Sequence, residues 1–405
     1  MPLTTVEVAF ELTVGDTPYF RLDHPTKGKL NNTTYRLAGP IFIDITDAVV
    51  NVSVQRGKNR ELDRYSSGSA TVTLRNENRW FDPLNASSPY VGNIIPRRAI
   101  RISTAGVVQF TGVIEDWNLD YDVSGESTAI VTAADAFTLL AQQSLTAGTA
   151  TAQVTSDRVN AILSMPSVAW PLTQRRIDTG QSLLGTDIFD TADSALSYLQ
   201  LVEASEQGQL FIDRDGYVRF VNGQVSPTSS AVTATFSDDG TGIAYTSVSV
   251  VYGTELLYNE VTVSAPTSTQ SWSNTTSQAT YGITSTDVST LLGQSSSVLA
   301  LAQYWVNKYG EPEYRFDKLQ ISLDGLSGAN ANTVLGLELG DLVEVTFTPN
   351  KIGSAIQRYG QITSISHDVR ADSHNVTLGL GSLQFSFLVL DDTSFGILDE
   401  YSLAF

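Results

Sequence analysis

"GSATVTLRNENRWFDPLNASSPYVGNIIPRRAIRI" (Gly68–Ile102) places two alternating patterns, SATVTLR and RRAIRI, on either side of a connection dense in turn formers and aromatics. Alternation with period 2 marks a strand with one buried face. The connection between them holds Pro83, Pro89 and Pro96 together with Trp80, Phe81 and Tyr90. That is far more side chain than two strands need to be joined.

Working outward, the same alternation recurs at Val6, Val8, Phe10 and Leu12, at Val50, Val52 and Val54, and in GVVQFTGVIEDWNLDY and STAIVTAADAF. Short strands at this spacing predict a sandwich or barrel over residues 1–134. Asp135 then stands at a helix N-cap position before AFTLLAQQ, and the period switches from 2 to 3.6. TSDRVNAIL and TADSALSYLQLVEASEQ add two helices. GQLFIDRDGYVRF reads as a hairpin with Asp215-Gly216 as a type I′ turn. Residues 135–225 therefore predict a small α+β domain. Strands resume over 226–385, with an exposed loop or long hairpin tip expected at 265–282 and an amphipathic helix at 294–309 whose Leu299, Ala302, Trp305 and Val306 face inward. Residues 386–405 form a tail rich in Phe and Leu.

Composition narrows the function. The chain has 405 residues, 41% apolar and only 17% charged, which suits a modular β-rich protein with a polar surface. Forty-three acids against 24 bases give a net charge of -19, which repels phosphate backbones and anionic lipid heads and excludes a nucleic-acid reader. The absence of cysteine excludes disulfides, thiolate metal sites and a Cys nucleophile. With no secretory pattern at the N-terminus and no run near the ~20 apolar residues of a membrane span, a soluble protein made in the cytosol is expected. The sequons at Asn85 and Asn274 then follow from an Asn/Ser/Thr-rich composition.

No nucleophile elbow, zinc pair, Walker loop or dinucleotide fingerprint occurs. His367 and His374 flank a hairpin and read as ordinary turn or strand-face residues. DRDG at Asp213–Gly216 lacks the further oxygen ligands of a calcium loop. In VIEDWNLDYDV, Asp116, Asn118, Asp120 and Asp122 share one parity, opposite Trp117, Leu119 and Tyr121. Such an acidic ladder is expected to be a solvated or lumen-facing strand; its alternative uses are calcium binding and paired-carboxylate glycoside hydrolysis, and nothing nearby holds a sugar or sets two pKa values apart. No cofactor and no metal is expected.

The quoted segment resembles the minor tail proteins of long-tailed bacteriophages, in which a Gly-x-Ala strand leads to Asn-x-Asp-Gly-Arg-Phe-x-Pro-x-Asn and Ser-Pro-Tyr. Gly68, Ala70, Leu74, Asn76, Phe81, Pro83, Asn85, Ser88, Pro89 and Tyr90 match, while Asn78-Arg79-Trp80 replaces Asp-Gly-Arg. FTGVIEDW, AADAF, GQLFIDRDGYVRF, YNEVTV, LELGDLVEV, VTLGL and LVLDDTSFGILD follow in the same order, so the resemblance runs from about Val50 onward and the first fifty residues are expected to be a variable N-terminal addition. It implies a mainly β fold, two tail-tube-like β-barrel or sandwich domains separated by a small α+β domain, similar to phage baseplate hub proteins. It further implies a virion protein at the tail tip, a homotrimer with the distal tail protein ring and the tape measure protein as partners, through which DNA passes without sticking. A distal-tail ring component or receptor-binding adaptor is the alternative within virions, and a carbohydrate-active β-protein the alternative outside them.

On that reading the prolines, which fix φ, and Trp80, Phe81 and Tyr90, which give large contact area with few rotors, make the connection a rigid docking surface. Asp116, Asp120 and Asp122 are expected to face the lumen. Phe395, Leu398 and Phe405 are expected to dock the tail on a neighbouring protein. Many tail-tip proteins carry a hydrolase or lectin module after the hub portion; with few residues following the second β-domain in this sequence, none is expected here.

Overall fold

The computed structural model describes residues 3–10, 41–223 and 232–382. Alternation becomes strand wherever one parity can be buried. β1 (Thr4–Val8), β2 (Ile43–Asp44), β3 (Val49–Gly57), β4 (Ser66–Arg75), β5 (Ala99–Thr104), β6 (Val107–Tyr121) and β7 (Ser127–Ala134) pair antiparallel in the order β3-β4-β7-β6-β5-β1-β2. Val6, Val8, Val52, Val54, Val72, Leu74, Ile100, Ile102 and Val131 point to one side and form a core of their own. A bulge between Ile114 and Asp116 shifts β6 against β7 and resets which residues face inward along its outer half.

The helical stretch follows. Asp135 accepts the N–H of Phe137 at 2.9 Å ahead of α1 (Phe137–Gln142), and its other oxygen takes the N–H of Gly68 at 2.7 Å, so the start of the helix is tied to β4. Burial pushes this carboxyl up to about 6. Short strands β8 (Gly148–Ala150) and β9 (Gln153–Val154) lead to α2 (Thr155–Leu163). The last carbonyls of α2 are met by the guanidinium of Arg175, which opens β10 (Arg175–Ile177) and donates to the carbonyls of Asn160 and Leu163. β11 (Leu183–Leu184) and β12 (Asp187–Phe189) precede α3 (Ala195–Glu206), capped by Ser194 Oγ, which accepts the N–H of Ser197. The hairpin of β13 (Gln209–Ile212) and β14 (Val218–Val221) differs from the expected type I′ turn. Gly216 alone takes positive φ (+88°), Gly216 N–H donates to Asp213 O, and Asp213 N–H donates to Tyr217 O, making a three-residue loop with glycine in the left-handed position.

β15 (Ala234–Ser237) pairs parallel with a later strand, and β16 (Ser247–Tyr252) begins the second antiparallel set. The stretch 265–282, expected as an exposed loop or long hairpin tip, is one arm of a hairpin followed by a helix. β17 (Glu260–Ala265) turns into β18 (Ser268–Ser273), then α4 (Thr275–Tyr281) and β19 (Ser285–Ser289), forming a separate three-stranded sheet. Asn274 Oδ1 caps α4 by accepting the N–H groups of Thr276 and Ser277. α5 (Ser295–Tyr309) covers this sheet with Val298, Leu301, Ala302 and Val306; Leu299 and Trp305 are only half-buried, so the inward face is rotated slightly from the expected one. β20 (Tyr314–Ser322), α6 (Gly328–Gly336), β21 (Leu342–Phe347), β22 (Ile356–Arg370) and β23 (Ser373–Ser382) complete the chain.

The two β-halves share one sheet. β22 pairs antiparallel with β3, from Ser364 opposite Gly57 to Val369 opposite Val52, joining them among the described residues into a thirteen-stranded sheet. The α+β stretch and the second half also share a core: Phe137, Leu199 and Phe220 belong to the same cluster as Phe236, Leu319 and Leu378.

Candidate interaction surface

The connection after β4 is a chain of turns capped by the matching Asn76, Asn85 and Ser88 and by Asp82. Asn76 Oδ1 accepts the N–H of Phe81 at 3.0 Å, Asp82 Oδ1 that of Leu84 at 2.8 Å, Asn85 Oδ1 that of Ser87 at 3.0 Å, and Ser88 Oγ that of Tyr90 at 3.0 Å. Asn85 Nδ2 donates to Arg79 O at 2.8 Å, drawing the far end of the loop back onto its start. Arg79, where the resemblance has glycine, keeps the tight turn by taking φ +54°. Its Nε donates to Asp82 Oδ2 at 2.9 Å. The Leu84 N–H, and after it the Arg79 guanidinium, hold the Asp82 carboxyl below the usual range.

The aromatics divide. Phe81 is 1% exposed and belongs to the core of the first half, with its ring 5.6 Å from Tyr90 and 6.1 Å from Trp117. It is therefore withdrawn as an interface residue: its side chain is already covered. Tyr90 is half-buried, stacked on Phe10 at 4.4 Å. Trp80, at 46% exposure, remains open, as do Leu84, Val91 and Ile95. Tyr121 neighbours Asp82 and Arg79, which brings the tip of β6 to this same end of the molecule.

On β6, Asp116, Asn118 and Asp120 are exposed while Trp117 and Leu119 pack on the core, as the parity predicts. Asp122 leaves the ladder. It lies in the β6–β7 turn, where its carboxylate accepts the N–H of Ser124 at 2.7 Å. Tyr121, past the last core contact, is exposed rather than inward. Among the described residues no group of three or more His, Asp or Glu side chains is placed to hold a metal ion. Phe395, Leu398 and Phe405 lie outside the described residues.

His367 and His374 are not surface residues. Both are buried on facing strands, His367 Nδ1 lying 3.0 Å from His374 Nε2. The parity signal was present, since His367 is in phase with Ile365 and Val369, and His374 with Val376 and Leu378. Burial first, then the neighbouring ring and the Arg56 and Arg214 guanidinium groups, holds His367 far below the ordinary histidine range. Burial also brings His374 down to about 4, against the opposing pull of Asp324 and Asp368.

Beside the histidines lies an ion cluster with no signal in the sequence. Glu338 receives Arg56 Nη1 from β3 at 2.7 Å and Arg214 Nε from the β13–β14 turn at 3.1 Å. Burial alone would raise its carboxyl, but the two guanidinium groups hold it below its usual value. One carboxylate thus joins the first β-half, the α+β stretch and the second β-half.

No protein-family profile and no curated sequence matches this chain. Solved structures do share its fold over most of its length. The 43 kDa tail protein of prophage MuSo2 from Shewanella oneidensis superposes with a TM-score of 0.57 at 11% identity, covering 85% of this chain and 95% of that one. The tail protein from Neisseria meningitidis MC58 superposes with a TM-score of 0.58 at 12% identity, covering 94% and 96%. At such identity the likeness is one of fold. The chain has the mainly β fold, with a large antiparallel sheet and an α+β insert, found in phage tail proteins.

Proposed function

We propose that this chain is a structural protein of a phage tail tip, a hub that closes the tail tube, adapts it to the host-binding apparatus and forms part of the channel for DNA ejection. The observation that carries the reading is a likeness to two tail proteins along 85% and 94% of the chain. Its working unit is a homotrimer. Three subunits, each with two β-halves, offer six positions to a sixfold ring, which resolves the mismatch between a threefold tip and a hexameric tube. The shared sheet through β3 and β22 supports this, because it fixes the two halves of one subunit at a set spacing.

The partners on this reading are further copies of the chain, the distal tail protein ring, the tape measure protein and other tail-tip proteins, met by shape rather than by bond-making chemistry. Trp80 and its exposed apolar neighbours form one docking face, and residues 386–405 another. Part of the -19 charge, including Asp116 and Asp120 on β6, lines the bore and keeps phosphate from sticking. Native mass spectrometry of the purified full chain tests the assembly: a trimer is expected, a hexamer would favour a distal-tail ring, and a monomer that turns over a cell-wall glycan would favour the carbohydrate-active reading.

A further inference from the structure

Residues 258–310 leave the main sheet and rejoin it at one point. Tyr252, at the end of β16, pairs with Tyr314, at the start of β20, and the Tyr258 N–H donates to Tyr309 O at 2.8 Å, closing a neck. Between them β17, β18 and β19 form a sheet with no strand in common with the main one. Val261, Val263, Val298, Ala302 and Val306 make a core separate from both larger clusters. An inserted unit with adjoining ends, its own sheet and its own core can move without tearing the sheet it interrupts.

Attachments near the two ends of α5 hold it down, and α3 adds a further contact, Ser205 Oγ accepting the Leu291 N–H at 2.7 Å. At the first end, the backbone of β11 meets the segment before α5: Gly185 N–H donates to Leu291 O at 2.8 Å and Gly293 N–H to Leu183 O at 3.1 Å. Here the chains touch so closely that a Cβ on Gly293 would stand 3.0 Å from Gly185 N and 3.1 Å from its Cα. Leu291 belongs to the large core and Leu292 to the small one, so this is also where the two meet.

At the second end, the β3–β4 connection presents Glu61, whose side chain is almost fully buried. Its Oε1 accepts the Tyr309 hydroxyl at 3.1 Å and Lys308 Nζ at 3.2 Å, both from the last turn of α5, while Oε2 lies 3.6 Å from Arg315 Nη1 on β20. A single carboxylate therefore spans the moving unit and the fixed sheet.

We propose that residues 258–310 are a hinged subdomain, latched by Glu61 at one end of α5 and by the Gly185–Gly293 contact at the other, which opens as a unit before either large core does. The inference concerns the chain by itself and does not depend on its assembly. Hydrogen exchange of the full chain, followed by mass spectrometry, tests it. Glu61→Gln keeps the shape of the side chain and removes its charge, and it is expected to speed exchange over 260–309 by about tenfold while β4, β6 and β7 keep wild-type rates. Gly293→Ala loosens the other attachment and should give the same pattern, with the double variant exceeding either single one. Unchanged exchange over 260–309 in both single variants, or equal acceleration across β4, β6 and β7, would overturn the proposal.

Discussion

Arg79 occupies a left-handed position where the resemblance places glycine, and the bonds to Asp82 compensate for its backbone strain. Because a non-glycine residue in this region costs about 1–2 kcal/mol, Arg79→Gly exchanges relieved strain for a lost ion pair and should shift stability by no more than about 1 kcal/mol. Arg79→Val keeps the strain, loses the pair and adds β-branching, so its thermal midpoint should fall below both. The neighbouring aromatics separate the same way. Phe81→Ala empties a core site and should destabilise by about 3–5 kcal/mol in denaturant unfolding, whereas Trp80→Ala should leave stability nearly unchanged and weaken assembly. That split was not legible in the sequence. Outside a strand no periodicity says which of two adjacent rings points inward, and Phe81 is covered by Trp117 and Tyr90, which in turn stacks on Phe10 from the distant N-terminus. The burial of His367 and His374, by contrast, is written in the alternation around them.

At the level of elements, strands and helices followed from period wherever one face could be buried. β18 and α4 escaped because their residues are largely polar and exposed, held by an asparagine cap and pairing to β17 rather than by an apolar stripe. The buried ion cluster escaped for another reason: Arg56, Arg214 and Glu338 are far apart in the chain, on β3, in the β13–β14 turn and ahead of β21, and they meet only in the folded molecule. Removing one member leaves charge buried without a partner, so Glu338→Gln should destabilise by about 3–5 kcal/mol, read as a lower denaturation midpoint. Among the groups that set the pH response, His374 and Glu203 act in opposite directions. His374 stays neutral in the fold down to about pH 4 but takes its proton near 6.5 when unfolded, so its contribution is complete above pH 6.5 and is lost as pH falls toward 4, about 3 kcal/mol in all. Glu203, raised to about 7 by burial in α3 from an ordinary 4.5, contributes fully below pH 4.5, and that contribution is lost as pH rises through 7. The thermal midpoint of His374→Gln relative to wild type should therefore climb as pH falls from 6.5 to 4.5, and that of Glu203→Gln should climb as pH rises from 4.5 to 7. Parallel curves would contradict both assignments.

For the whole molecule, the order of β-half, α+β stretch and β-half could be read along the chain, but not the way they are joined. A period identifies a strand and its buried face; it carries no information on which distant strand will sit alongside, and so the continuous sheet through β3 and β22 and the core shared by the α+β stretch and the second half emerge only in three dimensions. That rigid spacing of two β-halves is what the proposed hub requires. The most direct test is a reconstruction of the assembled particle made without imposing symmetry, reading only the copy number and axial position of this chain. Three copies at the tip, with their six β-halves meeting the ring above, is the result the account predicts. Six copies in a ring, or one β-half of each subunit left out of the contact, would contradict it.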